Sequence, residues 1–272
     1  KILDFEQGSE EWFKARLGIP TASRFKDIVT PAKGEKSKSY KNYMYELIAE
    51  KLTNSKEDFF KTEWMQRGNE VEPLARASYE FIHDVEVKEV GIILNDAQTI
   101  GASPDGLIGD IGGLEIKCPK PSTMVKYMIN GNLPLEYKTQ VMGSLWLSER
   151  EYWDFLAFHP SMDLFEIRVY RDEAYIKNMA NHITDFVDEL HENYEKISKR
   201  KKRMGIYVCP SCGENFEARV GNINSGKTTK CTACKISNQI THNDSKSRLY
   251  RIWMGIKQRC SKDNNSKNKD YS

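Results

Sequence analysis

Two carboxylates and a lysine lie close together in a glycine-rich stretch, residues 100–118. Asp105 stands in the turn-rich centre of this stretch, and Glu115 and Lys117 alternate with apolar residues further on. Because side chains alternate between the faces of a strand, Glu115 and Lys117 share one face. Carboxylate oxygens hold Mg²⁺, and a neighbouring ammonium can orient a water and offset the charge on an attacked phosphate. The chemistry that this stretch could perform is metal-assisted hydrolysis of a phosphodiester.

The same stretch is also compatible with an ordinary β-hairpin. Asp-Gly is a common turn dipeptide, and alternating Glu and Lys residues most often form the solvated face of a strand. Residues 100–118 alone therefore leave a metal site and a plain hairpin both open.

The composition is that of a soluble globular protein, with 39% hydrophobic and 29% charged residues in 272. No apolar run approaches membrane-spanning length, and the chain starts with Lys1 and shows no signal segment. We expect a protein of the cytoplasm, or of the host cytoplasm if it is viral, without a membrane partner.

The formal net charge of +2 conceals two oppositely charged parts. Residues 197–272 contain 17 basic and 5 acidic residues, a net of +12, and the preceding residues carry a net of −10. The C-terminal part is therefore the electrostatic candidate for nucleic-acid binding. The acidic part could handle DNA only through a local basic lining.

Periodicity predicts helices, a mixed sheet, more helices, further strands and a long closing helix, which indicates an α/β or α+β body. The predicted helices are 9–17, 22–29, 40–52, a helix from about Val71 to His83, and then 122–129, 136–147 and 172–199; strands are predicted at 85–94, 152–158 and 164–170. Pro73 sets the start near Val71, because proline is tolerated in the first turn of a helix and disruptive later. Glu72 would then lie in that first turn.

Four of the six cysteines form two CxxC pairs, Cys209/Cys212 and Cys231/Cys234, with 18 residues between them. This spacing is typical of a zinc ribbon, in which four thiolates surround one structural Zn²⁺ and leave no open position for chemistry. A metal-free knuckle is the alternative.

Two other patterns occur in the C-terminal part. Residues 221–228 match a P-loop letter for letter, but no apolar helix follows, so we interpret them as the loop between the cysteine pairs. Residues 247–260 predict a basic amphipathic helix. We expect a body at 1–200, a zinc ribbon at 201–240, and a basic helix with a polar tail at 241–272.

Several blocks of the body occur in an order that resembles the phage lambda exonuclease, or YqaJ-like, family of viral recombination nucleases. The blocks are Trp12, Arg16-Leu17-Gly18, Thr21-Ala22-Ser23, Gly68 with Glu72, Ser103-Pro104-Asp105-Gly106, Gly113-Leu114-Glu115-Ile116-Lys117-Cys118-Pro119 and Gln140. The similarity runs from about residue 5 to residue 194. The tail instead resembles the opening of phage HNH-type DNA-binding proteins, without the portion that would hold their catalytic site.

The resemblance implies a restriction-endonuclease-like PD-(D/E)XK fold, with a mixed central sheet flanked by helices. It implies 5′-to-3′ digestion of one strand of linear double-stranded DNA during phage recombination. It also implies a homotrimer and a single-strand annealing protein as partner.

The metal ligands implied by the resemblance are Asp105, Glu115 and the backbone carbonyl of Ile116, with Glu72 as an outer or water-mediated ligand. Two ions are expected, and oxygen ligands suit Mg²⁺ and Mn²⁺ alike.

The resemblance assigns Lys117 to activation of the attacking water and Gln140 to support of that site. It assigns Arg16, Ser23 and Ser103 to a pocket for the 5′ phosphate. A guanidinium fork and two hydroxyls suit a terminal phosphate.

Two other functions stay open. One is a structure-specific or restriction-like endonuclease built on the same core, and the other is a zinc-ribbon DNA-binding protein with a vestigial nuclease body. Met65, beside Trp64, falls where the family places an apolar wedge at the duplex end, and burial in the core would explain it equally well.

Overall fold

The computed structural model of the chain describes residues 1–56, 63–201, 204–235 and 252. It divides into two compact units, Lys1–Lys196 and Ile197–Ser272. The helices are α1 (Glu10–Arg16), α2 (Tyr40–Thr53), α3 (Glu63–His83), α4 (Pro121–Asn130), α5 (Lys138–Ser148), α6 (Glu173–Lys201) and α7 (Val220–Asn224). The strands are β1 (Ile2–Leu3), β2 (Val87–Lys88), β3 (Ile92–Leu94), β4 (Gly101–Ala102), β5 (Gly106–Ile108), β6 (Gly112–Lys117), β7 (Tyr152–Ala157), β8 (Phe165–Tyr170), β9 (Met204–Val208) and β10 (Asn215–Arg219). No helix in the described part of the chain is long and apolar enough to cross a membrane.

A five-stranded mixed sheet in the order β2-β5-β6-β7-β8 forms the centre of the first unit, beside a small sheet in the order β1-β3-β4. Strand β6 lies in the middle, antiparallel to β5 and parallel to β7. Leu114 and Ile116 are buried on one face of β6, and Glu115 is only 1% exposed on the other. The plain-hairpin interpretation, with a solvated face carrying Glu115, is therefore wrong.

The glycines at the start of β6 have a packing role. A Cβ atom at Gly113 would lie 2.2 Å from the ring of Trp153, its neighbour in β7, which is fully buried. The absence of a side chain at Gly113 thus lets a large aromatic ring cover the strand. This contact helps to fix the register of the strand that carries Glu115.

Helix α3 differs from its predicted form, because it runs from Glu63 to His83 without a break and contains Pro73 inside it. A proline inside a helix costs about 3 kcal/mol. The helix buries Ala75 and Tyr79 in a cluster with residues of the sheet, and this packing offsets that cost. Glu72 therefore lies well inside the helix, so a preference of acids for helix N-termini does not explain it.

The remaining predicted elements are present with shifted boundaries. Two predictions about them are wrong. The expected helix at 22–29 is a 3-10 turn, Ala22–Asp27, anchored by the buried Phe25. Helical spacing in the helix predicted at 172–199 places one apolar stripe towards the core, formed by Tyr175, Met179, Ile183, Phe186, Leu190 and Ile197. The first five of these residues are buried. Ile197 is 39% exposed, so its assignment to the core was wrong. The buried hydrophobic residues of α2, α5 and α6 share the largest core cluster with Phe25 and Trp153.

In the second unit, β9 and β10 form a two-stranded antiparallel hairpin followed by the short helix α7. The P-loop-like residues 221–228 begin in α7 and continue into the turn after it. Among the described residues of this unit there is no parallel strand pair, which a P-loop fold would need. Apart from residue 252, the predicted helix at 247–260 lies outside the part of the chain that the structure describes, as do the side chains of Trp64 and Met65.

Candidate active site

The two carboxylates predicted to bind metal approach each other through the β5–β6 hairpin. Asp105 immediately precedes β5, and its Oδ2 atom accepts the backbone N–H of Ile116 at 2.6 Å. Glu115, the residue before Ile116, has a fully buried Oε2 atom that finds no hydrogen-bond partner among the described residues. A buried carboxylate oxygen without a donor is costly, and a metal cation would satisfy it.

The ammonium of Lys117 lies between these two carboxylates. Its Nζ atom contacts Glu115 Oε1 and lies 4.0 Å from Asp105 Oδ2. Burial lowers the pKa of Lys117, but the neighbouring charges of Glu115 and Asp105 outweigh this and raise the pKa above its usual value. Lys117 therefore stays an ammonium, which can neutralise and orient but cannot accept a proton.

Gln140 reaches the same carboxylate from helix α5. Its Nε2 atom donates to Glu115 Oε1, the oxygen that Lys117 also contacts. Two donors thus engage Oε1, which leaves Oε2 as the oxygen available to a cation. Burial and the charge of Asp105 together raise the pKa of Glu115 to about 7, although Lys117 acts to lower it.

Glu72 joins the site from the middle of α3. Burial and the charge of Asp105 raise its pKa to about 7, while Arg76 and Lys117 act in the opposite direction. Arg76, one turn later in α3, donates to Glu72 Oε1 at 2.9 Å and to the backbone carbonyl of Asp105 at 3.3 Å. Three carboxylates and two cations are therefore assembled from α3, the loop before β5, and β6.

The residues predicted to hold a phosphate come from three segments and meet at Ser103, in the loop that carries Asp105. Arg16 Nη1 donates to Ser103 Oγ at 2.6 Å, and its Nη2 donates to Thr21 Oγ1 at 3.4 Å. The exposed Ser23 completes the group, with its Oγ 3.4 Å from Thr21 Oγ1. The indole N–H of Trp12 also donates to Ser103, and its ring lies 4.2 Å under the Arg16 guanidinium.

The charge of Arg16 is only partly compensated. Its hydrogen-bond acceptors are hydroxyls, and no carboxylate oxygen within the described residues pairs with it at 4.0 Å or less. Burial lowers its pKa to about 10, although Tyr43 and Glu50 act to raise it, so Arg16 is still a cation at neutral pH. A buried cation surrounded by hydroxyls is suited to an anionic ligand.

The four paired cysteines come together in the second unit. Their sulfur atoms all lie within 4.8 Å of one another, and the group is Cys209, Cys212, Cys231 and Cys234. The backbone N–H of Cys231 donates to Cys209 Sγ at 3.4 Å, and that of Cys234 donates to Cys231 Sγ at 3.4 Å. The hydrogen bond from Cys231 is the largest cause that lowers the pKa of Cys209, to about 6. The neighbouring cysteines instead raise the pKa of Cys234, to about 12. The mutual approach of the four sulfurs and the two N–H donors are consistent with a small zinc site.

A known family matches the part of the chain that carries the candidate site. The model of the YqaJ-like viral recombinase domain matches residues 11–151, more than half of the chain. The chain belongs to this family. The matched residues contain Asp105, Glu115 and Gln140 of the carboxylate group. They also contain Arg16 of the predicted phosphate pocket.

Known relatives of this YqaJ-like chain include a solved nuclease. The crystal structure of an alkaline exonuclease from Laribacter hongkongensis shares 37% identity and a TM-score of 0.66, over 71% of this chain and 98% of that one. The structure of the same exonuclease in complex with dAMP gives the same values. An uncharacterized protein of Acanthamoeba polyphaga mimivirus is 29% identical over 170 residues, which is 57% of this chain and 30% of the viral protein. The exonuclease likeness confirms the mixed α/β fold with a central mixed sheet flanked by helices.

Sequence patterns did not indicate a functional role for two residues of the site. Arg76 follows Glu72 at helical i,i+4 spacing, a signal that could have suggested the ion pair. The sequence favours Thr21 as a helix cap and as part of a family block, but its hydroxyl makes no cap hydrogen bond and contacts Arg16 and Ser23 instead.

Proposed function

We propose that this YqaJ-like chain is a divalent-metal-dependent deoxyribonuclease that digests one strand of linear double-stranded DNA from its 5′ end. The 37% identical relative is described as an alkaline exonuclease. The observation that carries the proposal is Glu115, with Oε1 bound by Lys117 and Gln140 and Oε2 buried without a donor in the described structure.

The donor set suits Mg²⁺ or Mn²⁺. Asp105 and Glu115 offer hard carboxylate oxygens, and these divalent ions prefer such ligands. We infer that these two residues and the carbonyl of Ile116 hold two ions, with Glu72 as an outer or water-mediated ligand. Bound divalent ions would supply Lewis-acid polarisation of the phosphate and a nucleophilic water.

The side chains around the carboxylates contribute in other ways. Lys117 places a fixed positive charge where an attacked phosphate gains negative charge, and it needs no reorganisation to do so. Gln140 holds the orientation of Glu115 by its hydrogen bond to Oε1.

The pocket of Arg16, Ser23 and Ser103 supports the choice of a terminal 5′ phosphate as the recognised group. Only Pro104 separates Ser103 from Asp105, so a phosphate held at Ser103 lies in a fixed relation to the carboxylates. A substrate fixed by its end presents a defined phosphodiester to the site, as an exonuclease needs.

The direct test uses a 5′-phosphorylated linear duplex and closed circular DNA, with Mg²⁺ or Mn²⁺. We expect label at the 5′ end of a strand to be released before label at its 3′ end, and circles to stay intact. Cleavage of circles would instead support the restriction-like endonuclease. Binding of DNA without cleavage by the metal-loaded protein would support the vestigial alternative.

We further propose that Cys209, Cys212, Cys231 and Cys234 hold one structural Zn²⁺ in a ribbon at 201–240. The mutual approach of the four sulfurs and the N–H groups donated to them support this assignment. The basic residues at 241–272 would add sequence-independent attraction to DNA. The body at 1–200, the homotrimer, the single-strand annealing partner and the host cytoplasm remain predictions that rest on the sequence.

A further inference from the structure

One guanidinium joins three separate segments of the candidate active site. Arg76 uses a different nitrogen for each contact: Nη2 donates to Glu72 Oε1 at 2.9 Å, Nε donates to the carbonyl of Asp105 at 3.3 Å, and Nη1 lies 2.9 Å from Glu89 Oε1. The Arg76 side chain is 11% exposed. The planar guanidinium fork presents a separate nitrogen to each of the three acceptors.

Two of these three partners belong to the proposed metal site. Glu72 offers its carboxylate, and Asp105 is held by its backbone, which leaves the Asp105 side chain to accept the N–H of Ile116. The third partner, Glu89, is 69% exposed and lies in the segment between β2 and β3. The guanidinium therefore fixes α3 and the loop before β5 relative to each other.

The loop that carries Asp105 is held at each of three successive residues. Arg16 donates to Ser103 Oγ, Gln7 Nε2 donates to the Pro104 carbonyl at 2.7 Å, and Arg76 donates to the Asp105 carbonyl. Arg76 is the member of this set that also contacts Glu72. Its loss would free the carboxylate of Glu72 and the backbone of Asp105 together.

We propose that Arg76 is a positioning residue, which holds Glu72 and the Asp105 loop in register for divalent-metal binding. The inference rests on the proposed metal-dependent function. A lysine carries all its donors on one nitrogen, so at this position it could not reproduce contacts that three separate nitrogens make. Outer-shell partners of metal ligands typically contribute 10- to 100-fold to metal affinity, so the expected effect is about tenfold or more.

The chain offers a matched control for a merely structural role. Arg150 is also partly buried, and its Nη1 donates to the carbonyls of Ile108, Gly109 and Gly112 at the opposite end of the same hairpin. Substitution of Arg150 should lower thermal stability without touching Glu72 or Asp105.

The test measures Mn²⁺ affinity by calorimetry on the full chain, without DNA, for wild type, Arg76→Gln, Arg76→Lys and Arg150→Gln. We expect Arg76→Gln to bind Mn²⁺ about tenfold more weakly or worse, Arg76→Lys to be weakened as well, and Arg150→Gln to match wild type. The half-saturating metal concentration for nuclease activity should rise in parallel, with the preference for 5′-phosphorylated ends unchanged. If Arg76→Gln does not fold, the Mn²⁺ affinity of Arg76→Lys tests the inference.

Equal Mn²⁺ affinity in the folded Arg76 variants and wild type would overturn the inference, as would an equal loss in Arg150→Gln or no Mn²⁺ binding by wild type. Two further outcomes distinguish a failure of the proposed function from a failure of the Arg76 inference. Wild type that binds Mn²⁺ but digests no DNA would refute the proposed function and leave the Arg76 comparison valid. Active wild type with unaffected Arg76 variants would refute only the role of Arg76.

Discussion

The carboxylate of Asp105 accepts the backbone N–H of Ile116 across the hairpin, at 2.6 Å. This bond ties the loop before β5 to the strand that carries Glu115 and Lys117. A side chain that could have pointed into solvent from a turn is thereby held beside a buried carboxylate and an ammonium. The hairpin provides both the scaffold and two of the three carboxylates of the candidate site.

The first prediction concerns end recognition. Arg16→Ala should reduce the preference for 5′-phosphorylated over 5′-hydroxyl duplex ends by about tenfold or more, because hydrogen bonds to charged groups contribute about 1.5–3 kcal/mol. Initial rates on the two substrates measure this preference. Lys14→Ala is the control, since Lys14 lies in the same helix but is exposed and pairs with Glu10. An unchanged preference in Arg16→Ala would remove Arg16 from the pocket.

The second prediction concerns pH. The pKa values of Glu72 and Glu115 are raised to about 7, so protons compete with a divalent ion below that pH. Mn²⁺ affinity, measured by calorimetry, should rise about tenfold from pH 6 to pH 8 for each of these carboxyls that must lose its proton. An affinity that does not change with pH would contradict the assignment of these carboxyls as ligands.

The same raised pKa values determine whether the stability of the metal-free protein rises or falls with pH. Between the ordinary carboxyl pKa and about 7, the folded chain holds protons that the unfolded chain has lost. These two groups therefore make the metal-free protein less stable as the pH rises through this range. Added Mg²⁺ should remove this penalty, so its effect on the melting temperature should be larger at pH 8 than at pH 6.

The sequence was sufficient for most helices and for β7 and β8, because hydrophobic periodicity is a local signal. The apolar runs at 100–102 and 113–118 favour a hairpin with those two arms, but β4 pairs with β3, and the hairpin partner of β6 is β5. The sequence was misleading at Pro73, where tertiary packing of α3 overrides a local rule. It also gave no sign of the pairing of Tyr79 with Asp154, since those residues are far apart in the chain and meet only in the fold. For the site, the family blocks supplied Arg16, Glu72 and Gln140, whereas the position of Arg76 over the Asp105 carbonyl required the structure.

The third prediction follows from that long-range pairing. Asp154 is fully buried, accepts two hydrogen bonds from Arg168 at 2.8 Å, and accepts a third from the Tyr79 hydroxyl at 2.6 Å. Tyr79→Phe removes one donor from a buried carboxylate and should lower the free energy of unfolding by about 1–3 kcal/mol in urea titrations. Tyr45→Phe, at a position 59% exposed, should change it by less than about 0.5 kcal/mol. Equal effects of the two substitutions would contradict the network.

The fourth prediction concerns zinc. Full-length chain should contain about one Zn²⁺ per molecule by elemental mass spectrometry, and Cys209→Ser should lose it, because a structural site needs all four ligands. Cys118→Ser is the control, since Cys118 lies outside the cluster. Zinc content that is near zero in wild type, or the same in Cys209→Ser, would exclude the ribbon.

The central claim is tested most directly by Asp105→Asn, which keeps the shape of the side chain and an oxygen to accept the N–H of Ile116. We predict that wild type releases nucleotides from a linear 5′-phosphorylated duplex with Mg²⁺, and that Asp105→Asn does so at least about 100-fold more slowly at similar thermal stability. Equal rates for the two proteins would contradict the account.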